Sequence, residues 1–126
     1  MEKVYLSDYA CELLKERGFD SYTLSYLEKT DVKNKYKIGY SSTATNFNST
    51  DNFISRPTIF EVLAWLNRNR IDIFVKPNYE EEECYIPYIH APNKETLGGL
   101  PSYTSAFADA ILYVLKCDKY WGIMYS

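Results

Sequence analysis

The segment "SYTSAFADAILYVLK" (102–116) carries only two charges, Asp109 and Lys116. Tyr103, Ala106, Phe107, Ala110, Ile111 and Val114 fall on one helical stripe. Ala108, Leu112 and Leu115 lie beyond it. A helix apolar around most of its girth has to be covered on more than one side. Ala106 and Ala110 let it approach a sheet closely. Two covers are available for the second side. One is another part of the same chain, the first helix or the aromatic tail "KYWGIMYS" (119–126). The other is a second copy or another protein. Leu112, Leu115, Tyr120, Trp121, Ile123 and Met124 are therefore the candidate interaction surface.

The glycines before this helix, in "GGLPSYTS", raise the question of a phosphate cradle. A phosphate loop needs a Lys and a Ser or Thr in the turn. Here no Lys is near, and Pro101 removes an amide donor. Ser102 is a good cap, so the pair serves as a turn that feeds the helix.

Upstream, "LSDYACELLKERGF" predicts a helix. Ser7 caps it, Leu6 and Cys11 flank the cap, and Gly18 ends it. In the stretch that follows, Tyr22, Leu24 and Tyr26 alternate with Thr23 and Ser25. Tyr36, Ile38 and Tyr40 alternate with Lys37 and Gly39. Period-two alternation marks half-buried strands, here a hairpin around "EKTDVKNK". The polar run "SSTATNFNSTDNF" has no period and is expected to be a mobile loop.

A second helix follows in "RPTIFEVLAWLNRNR". Its start is either Thr58, with Glu61 at capping-box spacing, or Ser55, with Pro57 in the first turn. Then "IDIFVKP" is a strand with Ile71, Ile73 and Val75 on one face. "NYEEEE" turns the chain and "ECYIPYIHA" returns it. Pro87 lacks an amide hydrogen, so this strand is expected at an edge or with a bulge. "PNKETLGGLP" has room for a short third strand.

The order is α-β-β-α-β-β-(β)-α. Short connections favour antiparallel hairpins. An α+β fold follows, a single domain over 1–126 with an antiparallel sheet and helices packed on one face. Residues 6–52 form a helix plus hairpin, 55–117 a helix, hairpin and helix, and 118–126 the aromatic tail.

Three blocks carry a resemblance: "LLKERGFD" (13–20), the run from Pro57 and Thr58 through Trp65, Leu66 and Arg68 to Pro77, and "SYTSAFADAILYVLK". In order and spacing they resemble a family of small uncharacterised proteins from gut bacteria and their phages. The resemblance covers roughly 6–116 and implies fold and context without an activity. The chain departs from that pattern where Thr104 and Ser105 replace glutamates and in its more aromatic tail.

Chemistry is sparsely marked. Cys11, Cys84 and Cys117 show no metal-ligand spacing. His90 is the single histidine, and a Cys84–His90 pair on one strand would be ~20 Å apart. Glu80 to Glu83 point alternately to opposite faces and read as a solvated hairpin tip. No cofactor is expected. The α-β-β-β-α order is similar to a double-stranded RNA-binding arrangement, but the last helix lacks its lysine cluster. The net charge of −3 also argues against a broad nucleic-acid surface. Lys33, Lys35, Lys37, Arg68 and Arg70 are the basic residues left for that alternative. With no long apolar run, the expectation is a cytoplasmic protein away from membranes. The expected role is binding a protein partner, a second copy being one candidate, with no enzymatic activity expected.

Overall fold

Helix α1 (Asp8–Glu16) starts where the Ser7 hydroxyl accepts the Ala10 N–H at 3.2 Å. It stops in a paired-turn motif in which Phe19 N–H reaches the Leu14 carbonyl and Gly18 N–H that of Lys15. Gly18 takes φ +88°, a left-handed conformation natural to glycine. Leu14 and Phe19, brought together by this motif, are both fully buried. The computed structural model describes residues 4–81, 84–91 and 93–122. The fold is α+β, and the chain divides into two units, Met1–Glu61 and Val62–Ser126.

In the first unit, β1 (Thr23–Lys29) is the middle of a three-stranded antiparallel sheet, between β2 (Tyr36–Thr45) and β3 (Phe53–Ser55). The alternation holds, but the buried face is the one that looks polar. Thr23, Ser25 and Leu27 are inside, while Tyr22 is 68% and Leu24 41% exposed. The two buried hydroxyls are satisfied locally: Thr23 donates to the Ser25 carbonyl and Ser25 to the Gly39 carbonyl. A hydrogen-bonded hydroxyl can be buried at modest cost.

The expected loop is largely ordered structure. Strand β2 runs on to Thr45, a single 3-10 turn spans Phe47–Ser49, and β3 follows. The polar residues are spent on the backbone. Asn48 donates to the Phe19 carbonyl and accepts the Ser55 N–H, and the Ser55 hydroxyl accepts the Phe47 N–H. Lys15 Nζ holds the carbonyls of Thr50 and Phe53. Phe47 and Phe53 pack on Tyr26, with ring centres 4.8 and 5.3 Å away. None of this has a sequence period.

Helix α2 (Ile59–Arg68) takes the Thr58 start. Thr58 N–H donates to Glu61 Oε1 at 2.8 Å and Glu61 N–H to the Thr58 hydroxyl at 3.3 Å. The division between the units falls inside α2. In the second unit, β4 (Asp72–Pro77), β5 (Tyr85–His90) and β6 (Lys94–Thr96) form a second antiparallel sheet, so there are two small sheets where one was expected. Helix α3 (Tyr103–Lys116) packs across β4 and β5. It is capped by Ser102 and Ser105 as a reciprocal pair.

Strand β5 is the middle strand, not an edge, despite Pro87. The bond from Asn78 N–H to the Cys84 carbonyl sets the alternation, which makes Val75–Pro87 a pair without hydrogen bonds. The missing donor therefore points toward β6. There the register slips by one residue between Tyr88↔Thr96 and the bridge Tyr85↔Leu100. Gly98 and Gly99 occupy the slip. A side chain at Gly99 would place its Cβ 2.3 Å from Cys84 Sγ. The glycines thus carry the backbone past Pro87 and Cys84.

Candidate binding face

The first part of the aromatic tail, Lys119–Gly122, is built into the second unit. Helix α4 (Lys119–Gly122) places Trp121 against Trp65, with ring centres 5.4 Å apart. The Tyr120 hydroxyl donates to Glu95 Oε2 at 2.7 Å, and Lys119 forms an ion pair with the same carboxylate. Of the residues expected at an interaction surface, Leu115, Tyr120 and Trp121 are buried and Leu112 is half-buried. Ile123 and Met124 lie outside the described residues. Of the two covers open to α3, Tyr120 and Trp121 supply the internal one; with Leu115 they contribute core and are not an open surface. The physical reason is that the indole N–H and the tyrosine hydroxyl find internal partners, so both rings can be buried without loss.

The open surface of this unit is the other face of its sheet. Residues 73, 75, 87 and 89 point to the α3 side, so Asp72, Phe74, Lys76, Ile86, Tyr88 and His90 point away from it. Phe74 stands directly opposite Tyr88, and Asp72 opposite His90. Phe74 is 46% exposed and meets His90 edge-on, with ring centres 5.0 Å apart. Lys76 Nζ lies 5.5 Å from the centre of the Tyr88 ring. These four side chains line a shallow cleft of about 250 Å³. Lys94 and Thr96 on β6 continue the same face through their pairing with His90 and Tyr88. Flat aromatic area ringed by mixed charges can take an aromatic or apolar group and fix it with polar contacts.

The basic residues do not form one group. Lys29, Lys33, Lys35 and Tyr36 line a cleft of about 190 Å³ at the β1–β2 turn, and Lys37 pairs with Glu28 across the strands. Arg68 and Arg70 belong to the other unit, at the end of α2. Glu80 and Glu81 are exposed in the β4–β5 turn, and Glu82 and Glu83 lie outside the described residues.

The cysteine thiols are held protonated where burial acts on them. Cys11 is fully buried, and its pKa is pushed up to about 12, by burial first and then by Asp8. Cys84 is shifted upward by burial and by Glu81. Cys84 precedes β5 and His90 ends it, so the strand separates them. Among the described residues, no group of His, Cys, Asp and Glu side chains could hold a metal ion, and no helix is long and apolar enough to cross a membrane.

No family model, curated protein or solved structure matches this chain. Phe74 and Tyr88 were not singled out by sequence reasoning. The available signal was parity: Phe74 and Lys76 alternate with Ile73 and Val75. The partner strand's register across the β4–β5 turn decides that Tyr88 stands opposite Phe74, and that register is not written in either strand.

Proposed function

We propose that the chain is a non-catalytic protein-interaction module whose recognition surface is the outer face of β4–β5–β6. One observation carries this reading: Phe74 and Tyr88 stand side by side on the sheet face turned away from α3. Aromatic residues surrounded by polar ones are the usual make-up of an interface centre and its rim. The rim here is Asp72, Lys76, His90, Lys94 and Thr96. Three unpaired cysteines suit a reducing, cytoplasmic setting. The resemblance to proteins of gut bacteria and their phages supplies the context in which a partner is to be sought. Self-association belongs to the same proposal, now through this face in place of α3 and the tail.

Nucleic-acid binding is the second reading, favoured by the three lysines around the β1–β2 turn. Duplex RNA is disfavoured by charge. The α2-β4-β5-β6-α3 order is there, but the first turn of α3 has no basic residue and the β4–β5 turn carries glutamates.

Affinity capture from the native host or phage-infected cells, run with the parent chain and with Phe74→Ser and Tyr88→Ser, tests the first reading. A partner retained by the parent and lost by both folded variants is expected. Light scattering over a concentration series reads self-association in the same three proteins. Capture and scattering indifferent to both substitutions would overturn the proposal. Mobility shifts with single-stranded and duplex probes at low salt decide the second reading.

A further inference from the structure

Arg56 stands between β3 and α2, in the first unit, and is half-buried. Its guanidinium carbon lies 3.9 Å from the centre of the Tyr5 ring and 5.9 Å from that of Tyr40. Nη1 donates to the Ser25 hydroxyl and to the Tyr40 hydroxyl, both at 3.1 Å. The backbone N–H of Arg56 donates to the Ser25 carbonyl at 3.0 Å. Every one of these partners is neutral. Among the described residues no carboxylate forms an ion pair with Arg56, and no protein acceptor takes its Nε or Nη2 hydrogens.

Arg56 is only half-buried, so its charge persists without a carboxylate partner. The arrangement is specific in direction. The Tyr5 ring covers a face of the guanidinium, and Ser25 with Tyr40 occupies its Nη1 end. What remains is the Nε–Nη2 edge, two parallel N–H donors in one plane. This fork matches two oxygens of a single oxyanion. The side chain is already held in one orientation, so binding there orders little more. The Tyr40 hydroxyl accepts from Arg56 and keeps its own O–H as a third donor.

We propose that Arg56, framed by Tyr5 and Tyr40, is a binding site for a phosphate monoester. Two guanidinium donors and a nearby phenol suit the three terminal oxygens and double charge of a phosphate monoester, where a carboxylate offers two oxygens in one plane and a single charge. The adjoining Tyr40 ring, 65% exposed, offers a surface for an aromatic group esterified to that phosphate.

The test is a titration of the full chain followed by the Arg56 Nε–H resonance, at constant ionic strength. The probes are inorganic phosphate, phenyl phosphate, O-phosphoserine and acetate. A saturable shift is expected with the three phosphates, at least roughly tenfold tighter than with acetate. Phenyl phosphate tighter than O-phosphoserine points to an aromatic source, and the reverse order to an aliphatic one; both support the site. Arg56→Lys keeps the charge and loses the fork, so affinity falls roughly tenfold. If Arg56→Lys does not fold, Tyr40→Phe at its exposed position decides, with a several-fold loss expected. The proposal is overturned by a shift that stays linear with added phosphate, by acetate binding as tightly, or by unchanged affinity in the folded variant.

Discussion

Trp121 lies stacked on Trp65, with ring planes 26° apart, and its indole N–H donates to the Val114 carbonyl at 2.9 Å. Both rings are 5% exposed. Trp121 is thus the buried anchor of a four-residue helix beyond α3, beside the bonds of Lys119 and Tyr120 to Glu95. Trp121→Ala is expected to lower unfolding free energy by about 3–5 kcal/mol, and Trp121→Phe by about 1 kcal/mol for the lost hydrogen bond and the altered stacking. Urea unfolding monitored by circular dichroism checks both. A loss under 1 kcal/mol for the alanine variant contradicts a built-in tail.

Arg70 occupies the position in α2 that Gly18 occupies in α1. Ile71 N–H reaches the Leu66 carbonyl and Arg70 N–H that of Asn67, at φ +64° for Arg70. A side chain in this left-handed conformation costs about 1–2 kcal/mol. Arg70→Gly should therefore stabilise by about 1 kcal/mol, after the added freedom of the unfolded chain is counted. Gly18→Ala should destabilise by a similar amount. Thermal midpoints moving in opposite directions are the expected readout.

Gly99 and Cys84 are coupled by space. Gly99→Ala is expected to cost about 1–3 kcal/mol because the new methyl group meets Cys84 Sγ. Cys84→Ala in the same chain should recover most of that loss. A double-mutant cycle with no interaction energy would show that the strand passes Cys84 more loosely.

The Glu95 cluster makes the second unit's stability depend on pH at both ends. Lys119 first, then Tyr120, hold the Glu95 carboxyl below its usual range. A folded pKa lowered in this way contributes stability above the ordinary glutamate range, about 4.3, and loses it as pH falls through the folded value. Tyr120 is shifted upward, by burial first and then by Glu95. Its contribution is complete below the usual tyrosine value of 10.0 and is lost as pH rises beyond it. Glu95→Gln should lower the urea midpoint at pH 7 more than at pH 3. Equal decrements at the two pH values would contradict the linkage.

The Cys11 thiol, with its pKa near 12, should resist iodoacetamide at pH 8 in the folded chain. Labelling should be confined to Cys84 and Cys117, both half-buried, until denaturant exposes the third thiol. Mass spectrometry of the peptides reads this directly. Modification of Cys11 as fast as Cys117 rules out the buried placement.

Helix ends were the most legible part of the chain. Ser7, Gly18 and Ser102 act within three to five residues of themselves, so spacing announces them, whereas spacing left Thr58 and Ser55 as alternative starts of α2 and the Thr58–Glu61 bonds decide between them. The β4–β5 hairpin and the short β6 were legible for the same reason. Strand β3 was not, because it is held by Asn48, Ser55 and Lys15 reaching to distant backbone. The middle place of β5 was obscured by Pro87, whose missing donor is accommodated by a slip in another strand.

The candidate face shows the same limit more sharply. Periodicity separated Phe74 from Ile73 and Val75, but only the cross-strand register sets Phe74 beside Tyr88. Arg56 carries no motif at all; its significance comes from Ser25 and Tyr40, paired in the first sheet, and from Tyr5, held by its bridge to Thr58.

By itself, then, the amino-acid order determined the α+β class, helices α1 to α3, the caps of α1 and α3, and the hairpin pairing, because each rests on hydrogen bonds and side-chain spacing between near neighbours. The tertiary structure alone decided that Thr23 and Ser25 face inward while Tyr22 and Leu24 face out, that Trp121 is core, and which aromatic rings are left at the surface. Those outcomes depend on which distant groups can satisfy a buried hydroxyl or cover a ring, and only the packed chain brings such groups within reach.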